Sequence, residues 1–262
     1  MSAANCETVL ITGASSGIGL ELAKCFAPDK CRLVLIARNT EALETLASEL
    51  HQAHGIEVRV LTADLALPET PKRIFEELRM AKISVDILVN NAGFGAQGAF
   101  ARLSLQRQLE MIQVNIAALT ELTGLFLPGM IERQRGGILN VGSVAGFLPG
   151  PNMGVYYATK AFVQSFTEAL AEELSDSGLI VSVLCPGPTE TNFNNIARGQ
   201  KIRRLKTSKM SAQEVARLGH CAFRNRKVVK VTGLTNQLLL LFTRVSPRSL
   251  IRKMVKSYNT ID

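Results

Sequence analysis

Tyr156 and Lys160 stand four residues apart in Tyr156-Tyr157-Ala158-Thr159-Lys160, about one turn of a helix. A phenol with its ordinary pKa near ~10 is a poor acid–base group at neutral pH. An ammonium one turn along the same face favours the phenolate, which makes the pair a usable proton donor and acceptor. Tyr157 is three residues from Lys160 and is expected to point elsewhere, so Tyr156 is the candidate acid. A second group lies near the start of the chain, in Thr12-Gly13-Ala14-Ser15-Ser16-Gly17-Ile18-Gly19. Gly13 permits a tight turn, Gly17 lets a pyrophosphate approach the backbone, and Gly19 allows close helix–strand contact. Free N–H groups at the start of the following helix then face the phosphates, with Ser15, Ser16 and Ile18 in the same loop.

The second predicted strand ends in Ala37-Arg38-Asn39. A dinucleotide fold that selects NAD usually places an acid here for the ribose hydroxyls, whereas an arginine can take a 2′-phosphate. Arg38 therefore favours NADP, the alternative being a solvated arginine at a strand end. Asp64, followed by Leu65, sits just past the third strand. Its carboxylate could accept from an adenine amino group or cap a turn, and the two roles are compatible.

These residues need elements to position them. Apolar and β-branched runs predict strands at Thr8–Ile11, Arg32–Ala37, Val58–Thr62, Val85–Asn90, Gly137–Gly142, Leu179–Leu184 and Val228–Val231. Helical spacing predicts helices over Gly17–Phe26, Thr40–His51, Pro68–Ala81, one extended Leu103–Glu132, and Ala158–Ser175 closed by Gly178. Continuous apolar strands alternating with amphipathic helices signal a parallel sheet covered on both faces. The expected fold is α/β: a single Rossmann-type doubly wound parallel sheet with helices on both faces. Residues 1–233 would form the dinucleotide-binding and catalytic part, and residues 234–262 a C-terminal helical extension of the same domain.

Four further groups line up in order with the glycine loop: Asn90-Asn91-Ala92-Gly93, Ser143, the Tyr156–Lys160 segment, and Pro186-Gly187-Pro188-Thr189-Glu190-Thr191. Together they resemble the short-chain dehydrogenase/reductase family over Thr8 to Gly233. The resemblance implies hydride exchange between NADP(H) and a carbonyl or secondary alcohol. Ser143 would hydrogen-bond the substrate oxygen and stabilise its growing charge, Tyr156 would supply the proton, and Lys160 would also hold the nicotinamide ribose. Asn115, in Gln113-Val114-Asn115, matches the asparagine that completes a proton relay through water. Asn91, Ala92 and Gly93 fall in the cofactor site. Pro186 and Gly187 match the nicotinamide site, Thr189 the position whose backbone meets the carboxamide, and Thr191 a cofactor-contacting hydroxyl. The run Asn192–Lys209 matches a substrate lid.

Composition narrows the classes. The 262 residues are 47% hydrophobic and 20% charged, as in an ordinary globular chain. No uninterrupted apolar run approaches the ~18 residues of a bilayer span, and the N-terminus does not read as a secretory signal. Five scattered cysteines, with no CxxC pair, fit reduced thiols and a cytoplasmic location. No metal site is expected; His51 and His54, three apart, read as a solvated pair. From Asn195 onward 16 Lys and Arg face two acids, whereas the first 194 residues hold 14 basic and 20 acidic groups. That field could attract a nucleotide phosphate, an acidic carrier protein or an anionic membrane surface, or simply be a solvated face. No nucleic-acid motif accompanies it. Leu238–Phe242 would complete the substrate pocket or a subunit contact, and Ile251–Lys256 mixes apolar and cationic residues at helical spacing, as on a membrane surface.

The sequence thus predicts an NADP(H)-dependent reductase of a small-molecule ketone or aldehyde, assembled as a homodimer or homotetramer. The alternative is a non-catalytic nucleotide-binding regulatory or scaffold protein on the same fold, against which the intact Ser143–Tyr156–Lys160 set argues.

Overall fold

The computed structural model describes residues 6–191 and 209–260. A seven-stranded, all-parallel sheet forms its centre, in the order β3-β2-β1-β4-β5-β6-β9. The strands are β1 (Thr8–Thr12), β2 (Arg32–Ala37), β3 (Val58–Thr62), β4 (Ile87–Asn90), β5 (Gly137–Val141), β6 (Ile180–Cys185) and β9 (Val229–Val231). A separate two-stranded parallel pair joins β7 (Thr189–Glu190) to β8 (Met210–Ser211). The strand order reverses between β1 and β4, and the carboxyl ends on either side of that switch leave a crevice.

The period-2 alternation of the strands divides the core into two layers. Val9, Ile11, Leu33 and Leu35 face one side. They meet α1 (Gly17–Phe26), α2 (Thr40–His54) and α7 (Ala212–Arg224) through residues such as Leu22, Phe26, Leu43, Leu46 and Phe223. Leu10, Val34, Ile36 and Leu88 face the other. There they meet α3 (Thr70–Met80), α5 (Ala118–Glu132) and α6 (Gly154–Glu173), while α4 (Leu105–Ile112) packs its Met111 in a separate cluster with Tyr156 and Tyr157. Each fully buried Leu or Ile contributes about 1.5–3 kcal/mol by its removal from water. Two buried asparagines fix the β4–β5 register, in which Asn90 and Asn140 are opposite partners. Asn90 donates to Asn140 at 3.0 Å and to Thr123 of α5 at 3.2 Å, and Asn140 donates to Thr167 of α6 at 2.9 Å. Sliding either strand would orphan these amides in the core.

The predicted strands are all present, with ends shifted by a residue or two. The extended helix starts at Leu105 rather than Leu103 and is interrupted by a π-helical turn at Gln113–Ala117. The run Leu105–Glu132 is long and apolar enough to cross a membrane. Its Val114, Ala118, Leu122, Phe126 and Met130, four residues apart, are nevertheless packed on the sheet, so it is placed as a core helix. The helix predicted from Ala158 begins at Gly154. Gly, Val and two Tyr are weak helix formers, and burial of both tyrosines overrides that preference.

Past Gly233 come α8 (Leu234–Val245) and α9 (Arg248–Tyr258). The apolar side of α9 is not free: Ile251 and Val255 pack in a cluster with Met153, Tyr156 and Tyr157. The expectation that Leu238–Phe242 is covered is not met within the described residues. Leu238, Leu241 and Phe242 are exposed, and Leu240 alone of α8 is buried.

Candidate active site

The carboxyl ends of β1, β4, β5 and β6 converge on the crevice, and backbone bonds lock them together. The Gly142 N–H donates to Leu184 and the Val144 N–H to Pro186, which ties the segment after β5 to the segment after β6. Ser143 sits between these two bonds. Its Oγ accepts from the Ala145 N–H at 3.1 Å, lies 3.4 Å from the Pro186 carbonyl oxygen, and hydrogen-bonds the Tyr156 side chain. Ser143, Tyr156 and Lys160 are all buried.

Burial pushes the Tyr156 phenol up to about 12, with the Ser143 hydrogen bond pulling the other way. Burial pushes Lys160 down to about 8. The net shift of Tyr156 is upward, against the direction expected from a neighbouring ammonium, because burial is its largest cause. The Lys160 Nζ donates to the Val141 carbonyl at 2.8 Å. The thiol of Cys185, on the adjoining end of β6, is pushed up to about 12 by burial and so stays neutral beside the lysine. Neither Val141 nor Cys185 was singled out in the sequence, because a backbone acceptor and a lone cysteine carry no motif.

Asn115 lies in the π-helical turn and is buried. Such turns recur at functional sites because they re-aim one side chain of a helix. The Asn115 amide is engaged on both sides: Oδ1 accepts from the Phe94 N–H at 3.1 Å, and Nδ2 donates to the Phe94 carbonyl and the Thr159 hydroxyl at 3.0 Å each. It therefore braces the segment after β4 against α6. Gly93 shares this spot, and a Cβ there would lie 3.0 Å from Asn115 Oδ1 and 3.5 Å from Lys160 Nζ. Gly93, Asn115 and Lys160 are thus brought together.

The glycine loop joins β1 to α1, with Ser16 as the extended N-cap residue. Gly13 and Gly17 have φ of +67° and +56°, a conformation that favours glycine. At Gly19 a Cβ would come within 2.4 Å of both Gly13 O and Asn91 Nδ2. Ser15 is half-buried, Ser16 exposed, and Ile18 packs partly into the core. A Cβ at Gly13, Gly17 or Gly19 would meet Ala92, Thr191 or Asn91, so this turn, the shape that suits a pyrophosphate, holds only with glycine at these places. Asn91 was expected at the cofactor; its side chain is turned onto the loop itself, donating to the Thr12 and Gly13 carbonyls at 2.8 and 3.2 Å. The Ala92 N–H donates to the Thr12 hydroxyl. From the far end of the sheet Thr191 closes over the loop, its methyl 3.1 Å from where a Gly17 Cβ would stand.

Arg38 and Asp64 follow β2 and β3. The Arg38 side chain is 70% exposed and makes a long ion pair with Asp64 at 3.9 Å, which leaves its guanidinium accessible from solvent. Asp64 accepts from the Ala66 N–H at 3.0 Å, the turn-capping role weighed for it, and Leu65 is buried. At the other end Pro186 and Thr189 are buried, and the Thr189 hydroxyl donates to the Gly187 carbonyl at 2.9 Å. Gly187 is pressed against Asn236 of α8, whose Nδ2 would lie 2.2 Å from a Cβ there. Asn236 was missed in the sequence, which set everything after Gly233 apart from the cofactor. The Asn192–Lys209 segment, expected as a lid, falls outside the described residues except for Lys209.

Tyr157 does point away from Lys160. Its hydroxyl meets Asn259, just past α9, at 3.3 Å. The buried Asn259 also donates to the Pro151 carbonyl at 3.0 Å, and its own carbonyl accepts from Gln97 at 3.1 Å and Asn152 at 3.3 Å. The two loops leading to the catalytic helix and away from β4 are thereby held by one residue near the end of the chain.

Three comparisons match this arrangement. The description "short chain dehydrogenase" belongs to a family model that matches residues 7–201. A very-long-chain 3-oxoacyl-CoA reductase from Anas platyrhynchos is 34% identical over 72% of this chain, which spans only 62% of that relative's length. Among solved structures, a short-chain dehydrogenase from Sphingobium yanoikuyae in complex with NADPH is 36% identical, covering 91% of this chain and 93% of that one, with a TM-score of 0.81. A bulky-bulky ketone specific alcohol dehydrogenase from Comamonas testosteroni is 31% identical, with coverage of 95% and 96% and a TM-score of 0.78.

Proposed function

The chain belongs to the short-chain dehydrogenase/reductase family of oxidoreductases, whose fold binds a nicotinamide cofactor, and on that premise we propose that it reduces a ketone or aldehyde with NADPH. The observation that carries the reading is the buried Ser143–Tyr156 hydrogen bond with Lys160 one helical turn away. The cofactor supplies a hydride; every other task falls to the chain. The glycine loop and the start of α1 hold the pyrophosphate, and the exposed Arg38 fork pairs with a 2′-phosphate. Gly93, Lys160, Gly187 and Thr189 line the half of the crevice away from Arg38, and Thr191 covers the glycine loop.

Ser143 donates to the substrate oxygen and stabilises its growing negative charge. Tyr156 Oη hands over its proton. A phenol held near 12 keeps that proton at neutral pH, so the ground state is poised for reduction. Loss of the proton leaves a buried phenolate, which the Lys160 ammonium stabilises once it turns from the Val141 carbonyl. Asn115 keeps the Phe94 backbone and Thr159 in place, which sets the path by which the proton is replaced. The relative acting on 3-oxoacyl-CoA and the relative specific for bulky ketones support a ketone with a large substituent.

Reduction in the cytoplasm by a homo-oligomer completes the proposal. Leu105, Leu109, Ile112 and Ile131 on the Leu105–Glu132 run and Phe162 on α6 leave apolar side chains exposed, as a subunit contact would use. Light scattering is expected to give a particle at least twice 28.4 kDa. The reaction is tested by following NADPH and NADH oxidation against ketones, aldehydes and 3-oxoacyl thioesters graded by size. Consumption of NADPH with at least one ketone supports the proposal. NADPH binding with no turnover on any carbonyl, or in reverse on any alcohol, favours the scaffold reading.

A further inference from the structure

The most unusual surface lies outside the crevice, on α8. Its Leu234, Leu238, Leu241 and Val245 follow one another at helical spacing and are 77, 66, 61 and 83% exposed, with Phe242 beside them at 48%. A twelve-residue helix in water normally turns such a stripe inward; here Leu240 is the one fully buried residue, with Asn236, Leu239 and Thr243 partly covered. The next helix has the opposite character. α9 buries Ile251 and Val255 and turns Arg252, Lys253 and Lys256 to solvent, with Arg248 at its start and Arg244 at the end of α8. From Gly233 to Thr260 there are these five cations and not one Asp or Glu.

We propose that α8 and α9 dock this protein on an anionic lipid bilayer, with the α8 stripe entering the boundary between headgroups and acyl chains and the α9 cations meeting acidic headgroups. An exposed apolar stripe bordered by Lys and Arg is the pattern that binds at such interfaces, and the two attractions add. Charge decides between the possible occupants. A second copy of the chain meeting these helices across a two-fold axis would bring its own cations to them, with no acid between Gly233 and Thr260 on either copy to pair with them. The chain's own 192–208 segment carries Arg198, Lys201, Arg203, Arg204 and Lys206 and again no acid, so it repels α9 as well. An anionic bilayer is complementary to both features.

The docking face is connected to the crevice. Asn236, in the first turn of α8, is the residue pressed on Gly187, and Asn259 ties the end of α9 to the loops at Gln97 and Pro151. A chain seated this way would present the crevice close to the membrane. That is useful for an apolar carbonyl compound dissolved in lipid, although docking itself does not depend on the proposed reaction.

The test is co-sedimentation of the full chain with vesicles of phosphatidylcholine alone and of phosphatidylcholine mixed with phosphatidylglycerol. Binding is expected to be at least about tenfold tighter to the mixed vesicles and to weaken as salt is raised. Leu238→Asp with Leu241→Asp should reduce it about tenfold or more, with the circular dichroism spectrum and NADPH affinity unchanged. Arg252→Glu, Lys253→Glu and Lys256→Glu together should remove the preference for the acidic lipid. Absence of binding to either vesicle overturns the proposal, as does equal binding to both. A Leu238→Asp/Leu241→Asp variant that keeps its vesicle binding but halves its particle mass assigns the face to a second copy and also overturns it.

Discussion

The carboxyl edge of the sheet and the chain after Gly233 are built on different principles. Along the edge, three polar side chains are tied to backbone of a different segment: Asn91 to Thr12 and Gly13, Asn115 to Phe94, Lys160 to Val141. Glycines occupy the places where a Cβ would collide with these groups. The helices after Gly233 are instead attached at a few points, namely Asn236 on Gly187, the Ile251–Val255 pair, and Asn259. The edge is over-determined, so its reacting groups are held still and their pKa values are set by burial. The tail supplies no reacting group, but it touches the edge at one sensitive place, because Ile251 and Val255 pack in the cluster that holds Tyr156.

The sharpest way to break this contrast is Lys160→Met. Turnover should fall by about 10²–10⁴, while the fold becomes more stable by about 1–2 kcal/mol at neutral pH, since a buried ammonium is removed. Lys160 holds its proton less tightly folded than unfolded, near 8 against an ordinary 10.5. The charged form therefore costs stability below about 8, and the cost fades as pH rises from about 8 to about 10.5. The gain from Lys160→Met should shrink over that window in urea titrations. A destabilised variant would show that the Val141 bond outweighs desolvation.

Arg38→Asp addresses the outer rim of the same edge. It should weaken NADPH binding about 10–100-fold and leave NADH within a few-fold, as expected for loss of one charge-assisted pair. Titration of both cofactors decides; an unchanged ratio removes Arg38 from the site.

Smaller effects are expected where tail and edge touch. Asn259→Ala deletes the donor to Pro151 and the partner of Tyr157, and Tyr157→Phe deletes only the latter. Each should cost about 0.5–2 kcal/mol of stability and raise KM by a few-fold with kcat nearly constant. A fall in kcat with KM unchanged would place Asn259 among the residues that set the chemistry.

The edge was readable in the sequence because its chemistry demands fixed residue types at fixed spacings. The turn at Gly13–Gly19, the four-residue step from Tyr156 to Lys160, and the strand alternation at Val9–Ile11 are all local. What could not be read was long-range. Asn259 lies 102 residues from Tyr157 and carries no motif, and Asn236 meets Gly187 only after the sheet has closed. The π-helical turn at Asn115 interrupts a run whose apolar spacing is that of an ordinary helix. The upward shift of Tyr156 had the same origin, since spacing gives the step to Lys160 but not the burial that raises the phenol.

The proton that reduction requires is assigned to one phenol, Tyr156, and paired variants test that directly. Steady-state reduction of a responsive ketone should be measured for the native chain, Tyr156→Phe and Tyr157→Phe, together with NADPH affinity by titration. Tyr156→Phe is expected to lose about a hundredfold or more in kcat with NADPH affinity within a few-fold of native, while Tyr157→Phe keeps most of its turnover. Comparable losses in the two variants, or a Tyr156→Phe protein that still turns over, would contradict the assignment of the proton to Tyr156.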